Sequence, residues 1–227
     1  MRIFFLVLTL MPSIIFADAI AVIGTGRVAS ALGPGFASQG HDVIYASRSP
    51  EEDRFEELLA KTAGDPYVTS YEDAVRNADI VVLAVYGPAT ESVMQALGDL
   101  SGKIIIDPTN RVRTADDGFR EHDIEGSNAE LIQSLAPGAS VVKAFNTLNY
   151  LIMIDPASSG GAVTIPIAGD DADAKAKVAD LVRGMNMEPV DVGPLRFAHV
   201  LEELLIINSN ARTLGSPFNY YFRPFED

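Results

Sequence analysis

The feature that most constrains this chain is a short glycine-containing turn that follows an apolar run near residue 20. Residues 20–23 read Ile-Ala-Val-Ile, and Gly24, Gly26 and Ala29 follow in the spacing of a dinucleotide fingerprint. Gly24 allows a tight turn, Gly26 lets backbone amides approach a pyrophosphate, and Ala29 permits close helix–strand packing. Phosphates would lie at a helix N-terminus, where unpaired N–H groups favour anions. We therefore predict nucleotide binding; the alternative is a plain strand–helix turn.

The end of the second predicted strand indicates which dinucleotide is bound. NAD-binding folds place Asp or Glu there for the ribose hydroxyls, whereas NADP folds place Arg and small hydroxyl residues for the 2′-phosphate. This chain has Ser47 and Arg48 and no acid until Glu51. A guanidinium can bind a phosphate bidentately, whereas a carboxylate would repel it. The pattern predicts NADP(H); the alternative is that Arg48 is a solvated loop residue.

Composition excludes several classes of protein. With 227 residues the chain is long enough for one substantial α/β domain with a small appendix. A formal net charge of −14 argues against nucleic acid and anionic membrane surfaces as partners. The absence of cysteine excludes disulfides and thiolate sites. The three histidines, His41, His122 and His199, are too widely spaced to indicate a metal centre.

The N-terminus has the pattern of a secretory signal. Arg2 precedes an apolar stretch over residues 3–16, and Ala17-Asp18-Ala19 supplies small residues for cleavage. The stretch is too short for a confident membrane span, so we expect no stable span after cleavage. We predict a signal peptide at residues 1–17 and an exported protein, although the source of NADPH outside the cytoplasm is then unexplained. The alternatives are an uncleaved anchor and a cytoplasmic product that starts at Met11.

Apolar β-like runs alternate with helical stretches, which predicts an α/β fold of the Rossmann type, doubly wound around a mostly parallel sheet. We expect an NADP-binding domain at residues 18–150 and a small C-terminal α/β extension at 151–227 that packs on the same sheet. The predicted strands are Ile20–Ile23, Asp42–Ala46, Tyr67–Thr69, Ile80–Val85, Lys103–Ile106, Ser140–Lys143, Val163–Ala168 and Pro189–Val192. The predicted helices are Arg27–Gln39, Pro50–Ala60, Tyr71–Arg76, Ala89–Leu97, Ser127–Leu135, Asp171–Met185 and Leu195–Leu214.

Two local features modify this outline. Pro34 lies inside the first predicted helix and is expected to kink it or to open a turn with Gly33 and Gly35. The tail from Ser216 is aromatic and broken by prolines. Such a tail rarely stays exposed, so we expect it to pack on the core or on a second subunit, as in a homodimer.

Ligands of open α/β sheets bind outside the carboxyl ends of the strands, which selects three segments as candidate lining of one crevice. Val85 and Tyr86 would form an apolar wall that orients the ribose and the nicotinamide. The alternative is that Tyr86 is an aromatic residue packed at the rim. An asparagine of the third segment could hydrogen-bond the carboxamide or an acceptor ring. The candidates are Val85 and Tyr86 after the fourth strand, Asp107 and Asn110 after the fifth, and Ala144, Asn146 and Thr147 after the sixth.

Few residues in these segments suit proton transfer. Asp107 and Asn146 are the candidate catalytic residues, Asp107 as a base. The alternative for Asp107 is structural, because Asp-Pro-Thr-Asn is also a good turn whose side chains cap their own backbone. Lys143, at a strand end, is the one basic residue near the predicted crevice and a candidate proton donor. His41 and His199 have the surroundings of structural residues. Hydride transfer between two ring cofactors needs no dedicated proton donor, since the protein then chiefly orients the rings.

Several motifs together resemble the NADPH-dependent deazaflavin (F-420) reductase family and the NADPH-binding domain of the six-transmembrane metalloreductases. The resemblance covers about residues 20–214. It implies a Rossmann domain, often dimeric, in which Thr25, Gly26, Arg27, Val28, Ser47 and Arg48 bind NADPH and the nicotinamide lies near Val85, Asn146 and Thr147. The motifs are residues 21–28 (AVIGTGRV), 40–43 (GHDV), 46–48 (ASR), 106–110 (IDPTN), 126–130 (GSNAE), 141–147 (VVKAFNT), 167–171 (IAGDD) and 192–196 (VGPLR).

The resemblance implies hydride transfer between NADP(H) and a flavin or deazaflavin. Two departures from the family pattern are Ala29, where a glycine is frequent, and the predicted signal peptide. Two other hypotheses remain open at this point. One is reduction of a small imine or carbonyl substrate, as in pyrroline-carboxylate reductases. The other is a non-catalytic module that senses NADP or passes electrons to a membrane partner.

Overall fold

The computed structural model describes residues 17–51, 53–122, 125–216 and 218–224. The predicted signal segment and the alternative start at Met11 therefore lie outside the described residues, apart from Ala17. Within the described ranges, no helix combines the length and the apolar character needed to cross a bilayer.

An eight-stranded sheet forms the centre of the protein, and its order is β10-β9-β8-β5-β4-β1-β2-β3. Six neighbouring strands, from β3 to β8, are parallel, whereas β9 runs antiparallel to β8 and β10 is parallel to β9. This confirms the predicted Rossmann-type, mostly parallel sheet. The strands are β1 Ala19–Ile23, β2 Asp42–Ala46, β3 Tyr67–Thr69, β4 Ile80–Leu83, β5 Ile104–Asp107, β6 Val112–Thr114, β7 Arg120–His122, β8 Ser140–Lys143, β9 Thr164–Gly169 and β10 Glu188–Gly193; β6 and β7 form a separate hairpin.

Helices cover both faces of the sheet, and several begin at a residue whose side chain caps a backbone N–H. Ser70, Ser127, Asn149 and Asp171 each accept such a bond, which satisfies N–H groups that the first helical turn leaves unpaired. The α-helices are α1 Ala29–Ala37, α2 Glu56–Ala60, α3 Tyr71–Arg76, α4 Thr90–Met94, α5 Asn128–Leu135, α6 Tyr150–Ile154, α7 Ala172–Gly184 and α8 Ala198–Thr213; short 3-10 helices span Asp53–Phe55, Gly87–Ala89, Pro156–Ser159 and Leu195–Phe197.

The central strands are apolar on both sides because both sides are covered. In β1, Ile20 and Val22 belong to the core beneath α1, α6 and α7, whereas Ala21 and Ile23 belong to the core beneath α3, α4 and α5. Strand residues alternate between faces, so a run without polar residues fills two cores at once. This explains why β1 and β4 appear in the sequence as continuous apolar stretches.

The predicted bounds of β2, β3, β8 and α3 match the structure to the residue, and most other predicted elements overlap the observed ones. Predicted helices are too long where the chain forms loops at the edge of the sheet. The described residues between 50 and 60 contain only α2 and a 3-10 turn, and residues 89–97 contain only α4 after another 3-10 turn. The predicted fourth strand extended to Val85, but β4 ends at Leu83, where the chain leaves the sheet. The hairpin and α6 were not predicted.

Of the two expectations at Pro34, the opening of a turn is wrong, and the kink stays a prediction. Helix α1 continues from Ala29 to Ala37 with Pro34 inside it. Leu32 and Phe36, which flank the proline, are fully buried and hold this segment against the sheet. Gly33 lies so close to β2 that a Cβ there would be 2.0 Å from the hydroxyl oxygen of Tyr45. Tertiary packing therefore overrides the local preference of the proline.

The C-terminal tail packs on its own chain. Thr164 at the start of β9 donates a backbone hydrogen bond to the carbonyl of Phe222. The guanidinium of Arg223 binds the carbonyls of Ser159 and Gly161. The ring of Tyr220 contacts Phe218 in a tilted arrangement and Phe222 edge-on. The tail thus contacts the start of β9 and residues 159–162 of its own chain, while Phe218 and Phe222 stay exposed. Packing of the tail on a second subunit stays a prediction.

Candidate dinucleotide and acceptor site

The loops that leave β1, β2 and β4 meet at one point of the sheet edge. Gly24 has φ +108°, and its N–H donates to the carbonyl of Ala46 at 2.9 Å. A Cβ at Gly24 would be 2.5 Å from the carbonyl oxygen of Ala84. Both the backbone angle and the contact exclude a side chain, because only glycine adopts this conformation readily. The glycine is therefore required by the packing of the three loops themselves.

Gly26 differs from Gly24 because it faces open space. A Cβ at Gly26 would have no atom within 4 Å, and the residue is exposed. Its carbonyl accepts from Ser30 at 2.9 Å in the first turn ahead of α1, and this helix begins without a side-chain cap. The N–H groups of this turn are thus available to an anion. Arg27 stands beside them, with its guanidinium 5.7 Å from the ring centre of Tyr150.

A cavity of about 450 Å³ lies at the end of β2, where the sequence predicts the 2′-phosphate. Ser47 is 7% exposed and its hydroxyl accepts from the N–H of Ser49 at 3.2 Å, whereas the side chain of Arg48 is exposed. Arg54 also lines the cavity, and its guanidinium lies 5.1 Å from the ring centre of Phe55. The described lining contains no Asp or Glu; it consists of Gly24, Thr25, Ala46, Ser47, Arg48, Ser49, Arg54 and Tyr71.

Arg54 is a site residue that sequence reasoning missed. A second arginine six residues after Arg48 was the available signal. Its significance depends on the bend of the chain between β2 and α2, which returns position 54 to the strand end. The sequence pattern predicts a continuous helix from residue 50, and a continuous helix does not contain this bend.

A larger cleft of about 760 Å³ adjoins this cavity and shares Gly24, Ser47, Arg48 and Tyr71 with it. Val85 and Tyr86 line the larger cleft, and Tyr86 is 69% exposed. The structure therefore groups these two candidates with the β2 end of the crevice.

Asn110 and Asn146 form the other predicted part of the crevice, and the structure brings them together. The amide nitrogen of Asn146 donates to the side-chain oxygen of Asn110 and to the carbonyl of Leu201, both at 2.8 Å. The amide of Asn110 donates to the carbonyl of Asn146 at 3.2 Å. Gly87, after β4, approaches so closely that a Cβ would be 1.9 Å from the carbonyl oxygen of Asn110. The loops after β4, β5 and β8 thus form one rigid unit.

The backbone at Phe145 is in a conformation that non-glycine residues rarely adopt. Its φ is +64°, and its buried ring packs edge-on against Phe36 at 6.1 Å. Strain of this kind persists where surrounding packing imposes it, and it is frequent at functional sites. The turn at Phe145 lies between buried Ala144 and Asn146, so it sets the direction of the following side chains.

Two polar atoms beyond this turn are buried without a hydrogen-bond partner among the described residues. They are the side-chain oxygen of Asn146, which is 5% exposed, and the hydroxyl oxygen of Thr147. Buried polar atoms are nearly always paired in folded proteins. An unpaired acceptor beside an unpaired hydroxyl therefore suits a ligand that carries both a donor and an acceptor.

Asp107 and Lys143 belong to a fully buried charge cluster together with Glu202 of α8. The ammonium of Lys143 donates to Asp107 at 2.8 Å, to Glu202 at 2.6 Å and to the carbonyl of Thr109 at 2.6 Å. These three bonds use all three ammonium donors. The second oxygen of Asp107 accepts from the N–H of Thr109 at 2.9 Å and from its hydroxyl at 2.6 Å. The arrangement leaves neither group available for proton transfer.

Glu202 connects α8 to the loops of the crevice. Its carboxylate accepts from the N–H groups of Arg111 at 3.0 Å and Asn128 at 2.9 Å. His122, at the end of the hairpin, lies 3.6 Å from the same carboxylate. The sequence contains no signal for this role, because Glu202 is 59 residues from Lys143 and its neighbour Glu203 is an exposed acid of the same helix.

The remaining histidines are placed away from these loops. His41 is buried before β2, and its Nδ1 accepts from the N–H of Asp18 at 3.1 Å. Burial lowers the pKa of His41 below its usual value, which agrees with a neutral, accepting ring. His199 lies on α8 with its ring nitrogen 2.6 Å from the carbonyl of Arg196. Among the described residues, no group of three or more His, Asp or Glu side chains could hold a metal ion.

Replacing Lys143 with methionine should lower the free energy of unfolding by about 3–5 kcal/mol, because it leaves two buried carboxylates without their cation. The matched control is Lys61→Met, which removes an exposed ion pair with Glu57 and should change stability by less than about 0.5 kcal/mol. Urea denaturation of both variants measures the difference. Equal losses in the two variants would contradict the importance of the cluster.

The strand order, the glycine turn and the cavity at the end of β2 define a Rossmann-type dinucleotide-binding protein. The model of the family described as NADP oxidoreductase, coenzyme F420-dependent, matches residues 19–111. This match confirms the resemblance seen in the motifs.

Individual relatives agree with this match. The structure of a proposed F420-dependent NADP reductase from Arthrobacter sp. FB24 has a TM-score of 0.81 and 29% identity, and the match covers 92% of this chain and 100% of that one. The F420-dependent NADP reductase of Methanocaldococcus jannaschii is 25% identical over 77% of this chain and 84% of its own length. Rat metalloreductase STEAP3 is 30% identical over 83% of this chain. The match covers 36% of that protein, so the chain spans about a third of the curated metalloreductases.

Proposed function

We propose that the protein is an NADPH-dependent oxidoreductase that transfers a hydride between NADP(H) and a flavin or deazaflavin ring. The family-model match over residues 19–111 and the relatives named as F420-dependent NADP reductases support this class of reaction. The observation that carries the proposal is the cavity at the end of β2, in which two arginines and a buried serine lie beside the glycine turn.

The choice of NADP(H) rests on the charges of this cavity. Arg48 and Arg54 offer planar, permanently charged donors, and Ser47 adds a hydroxyl. A 2′-phosphate would be bound there by charge-assisted hydrogen bonds, which are stronger than those to a ribose hydroxyl. The chain as a whole carries a net charge of −14, so an anionic ligand depends on these local cations.

The remainder of the cofactor would follow the carboxyl edge of the sheet. The pyrophosphate would lie over Gly26 and the N–H groups that precede α1, beside Arg27. The nicotinamide would lie near Asn146 and Thr147, where the unpaired oxygen of Asn146 can accept from the carboxamide and the hydroxyl of Thr147 can donate to it. This assignment gives both buried polar atoms a partner.

The buried charge cluster favours ring-to-ring hydride transfer. A reductase of carbonyl substrates needs a group that supplies a proton. The two candidates for that role, Asp107 and Lys143, are fully buried and bound to each other. Transfer between two rings requires only that the protein hold them face to face, because the cofactors supply the chemistry.

Mixing the protein with NADPH and a series of acceptors tests the reaction directly. We expect NADPH absorbance to fall on addition of FMN, FAD or a deazaflavin, and to remain constant with pyrroline-carboxylate or a simple ketone. Turnover of the imine or ketone alone would replace the proposal with the small-substrate reductase. Tight NADPH binding without any turnover would indicate the non-catalytic module.

Discrimination between NADPH and NADH should depend on the arginines. We expect the wild-type protein to bind NADPH far more tightly than NADH, and Arg48→Glu to narrow or invert the difference because a carboxylate repels the 2′-phosphate. Arg54→Ala should weaken NADPH binding about tenfold and leave NADH binding unchanged, as expected for one charge-assisted hydrogen bond. Arg183→Ala, which removes an exposed ion pair with Asp180, serves as the control. Equal affinities for the two dinucleotides in wild-type protein would refute the assignment.

The two glycines of the turn should respond differently to alanine. Gly24→Ala should destabilise the protein by about 1–3 kcal/mol, because its Cβ clashes with the Ala84 carbonyl and φ is positive. Gly26→Ala should leave the melting temperature nearly unchanged, since its Cβ meets no protein atom, but should weaken NADPH binding at least tenfold. Thermal melts and calorimetric titrations measure both quantities. Unchanged NADPH affinity in Gly26→Ala would place the pyrophosphate elsewhere.

A further inference from the structure

A separate cavity of about 130 Å³ lies between the loop after β8, the end of α8 and the C-terminal tail. We propose that this cavity binds an anionic group, a phosphate or a carboxylate, carried by the electron acceptor. The inference rests on the proposed function, because it assumes that an acceptor ring lies beside the nicotinamide.

The lining of the cavity is suited to an anion. Arg212, in the last turn of α8, contributes a guanidinium, and the described lining contains no Asp or Glu. Asn208 and Asn219 add amides, and Tyr220 adds a phenol. Burial raises the pKa of Tyr220, so its hydroxyl stays protonated and can donate a hydrogen bond. The protein has a net charge of −14, whereas the lining of this cavity carries a positive charge and no described negative one.

Arg212 is available for a ligand. The described residues include no carboxylate within ion-pair distance of its guanidinium, whereas Arg76 and Arg183 on other helices are paired with acids of their own helix. Arg212 is exposed and Asn146 is buried, so the lining of the cavity extends from solvent to the residues assigned to the nicotinamide.

The position of the cavity connects it to the proposed reaction. Asn146 and Thr147 line it, and these are the residues assigned to the nicotinamide. An acceptor stacked on the nicotinamide would therefore have its side chain within reach of α8. The volume is small for a tricyclic ring but sufficient for a compact anionic group, so the ring belongs to the crevice and the side chain to the cavity.

The tail that forms the outer wall is held in place by its own contacts. Asn208 donates to the carbonyl of Phe218, and Arg223 binds several carbonyls between Ser159 and Ala162. These bonds fix the tail before a ligand arrives. A preorganised wall lowers the entropic cost of binding.

FMN and riboflavin provide a direct test, because they share one ring and differ by a phosphate. Each is titrated by fluorescence quenching into protein loaded with NADP⁺. We expect FMN to bind at least tenfold more tightly than riboflavin to the wild-type protein. Arg212→Gln should remove most of this difference by weakening FMN binding, with riboflavin affinity unchanged. Tyr220→Phe should give a smaller loss for FMN alone.

Arg183→Gln is the matched control, because it removes an exposed arginine of α7 that does not line the cavity. It should change neither the affinity for FMN nor that for riboflavin. Equal binding of FMN and riboflavin by the wild-type protein, or binding of neither, would overturn the inference. So would an Arg212→Gln variant that loses both ligands equally while melting at the wild-type temperature.

Two further arms separate this inference from the proposed function. A titration with NADPH alone measures dinucleotide binding. The FMN titration is then repeated without NADP⁺, so that binding of the anionic group is measured independently of the dinucleotide. Competition with inorganic phosphate and with acetate identifies the preferred anion, the stronger competitor being the better match. Failure of both anions to displace FMN would overturn the inference.

Discussion

The close approach of backbone segments at the carboxyl edge of the sheet is the constraint on which the crevice depends. Gly24 lies against the loop after β4, and Gly87 lies against the loop after β5, at distances that admit no side chain. Because main chain contacts main chain at both points, the loops cannot shift independently. The edge therefore has a fixed shape to which a long, flexible dinucleotide can conform.

The buried cluster of Asp107, Lys143 and Glu202 also stabilises this edge of the sheet. Its members lie on β5, β8 and α8, so it ties two strands to the last long helix. A buried ion pair contributes little net stability relative to apolar packing, but losing one partner is costly. The cluster is therefore best understood as a device that fixes geometry. It also removes from the crevice two residues whose types suggested acid–base chemistry.

Much of this structure could be predicted from sequence, and the exceptions share a physical cause. The fingerprint, β2, β3, β8 and α3 are determined by local patterns of apolar, capping and turn residues, and these were predicted correctly. The continuous helix through Pro34, the place of Arg54 beside Arg48, and the role of Glu202 depend on contacts between distant segments. Local patterns contain no information about such contacts. The sequence predicted that Asn110 and Asn146 lie near each other, but not that their side chains form a hydrogen bond. That bond depends on the turn at Phe145, whose positive φ has no sequence signature.

The members of the charged cluster are far apart in the sequence, and this separation affects the order in which the chain folds. The bonds of Lys143 to Asp107 and Glu202 close segments of 36 and 59 residues. Closing long segments costs chain entropy before any contact is gained, so non-local pairings form slowly. The β1–α1–β2 unit needs only neighbouring residues. We therefore expect a nascent chain to form the glycine turn, where we propose that the phosphates bind, early. The loops proposed to hold the nicotinamide should form only after α8 has been synthesised and has docked.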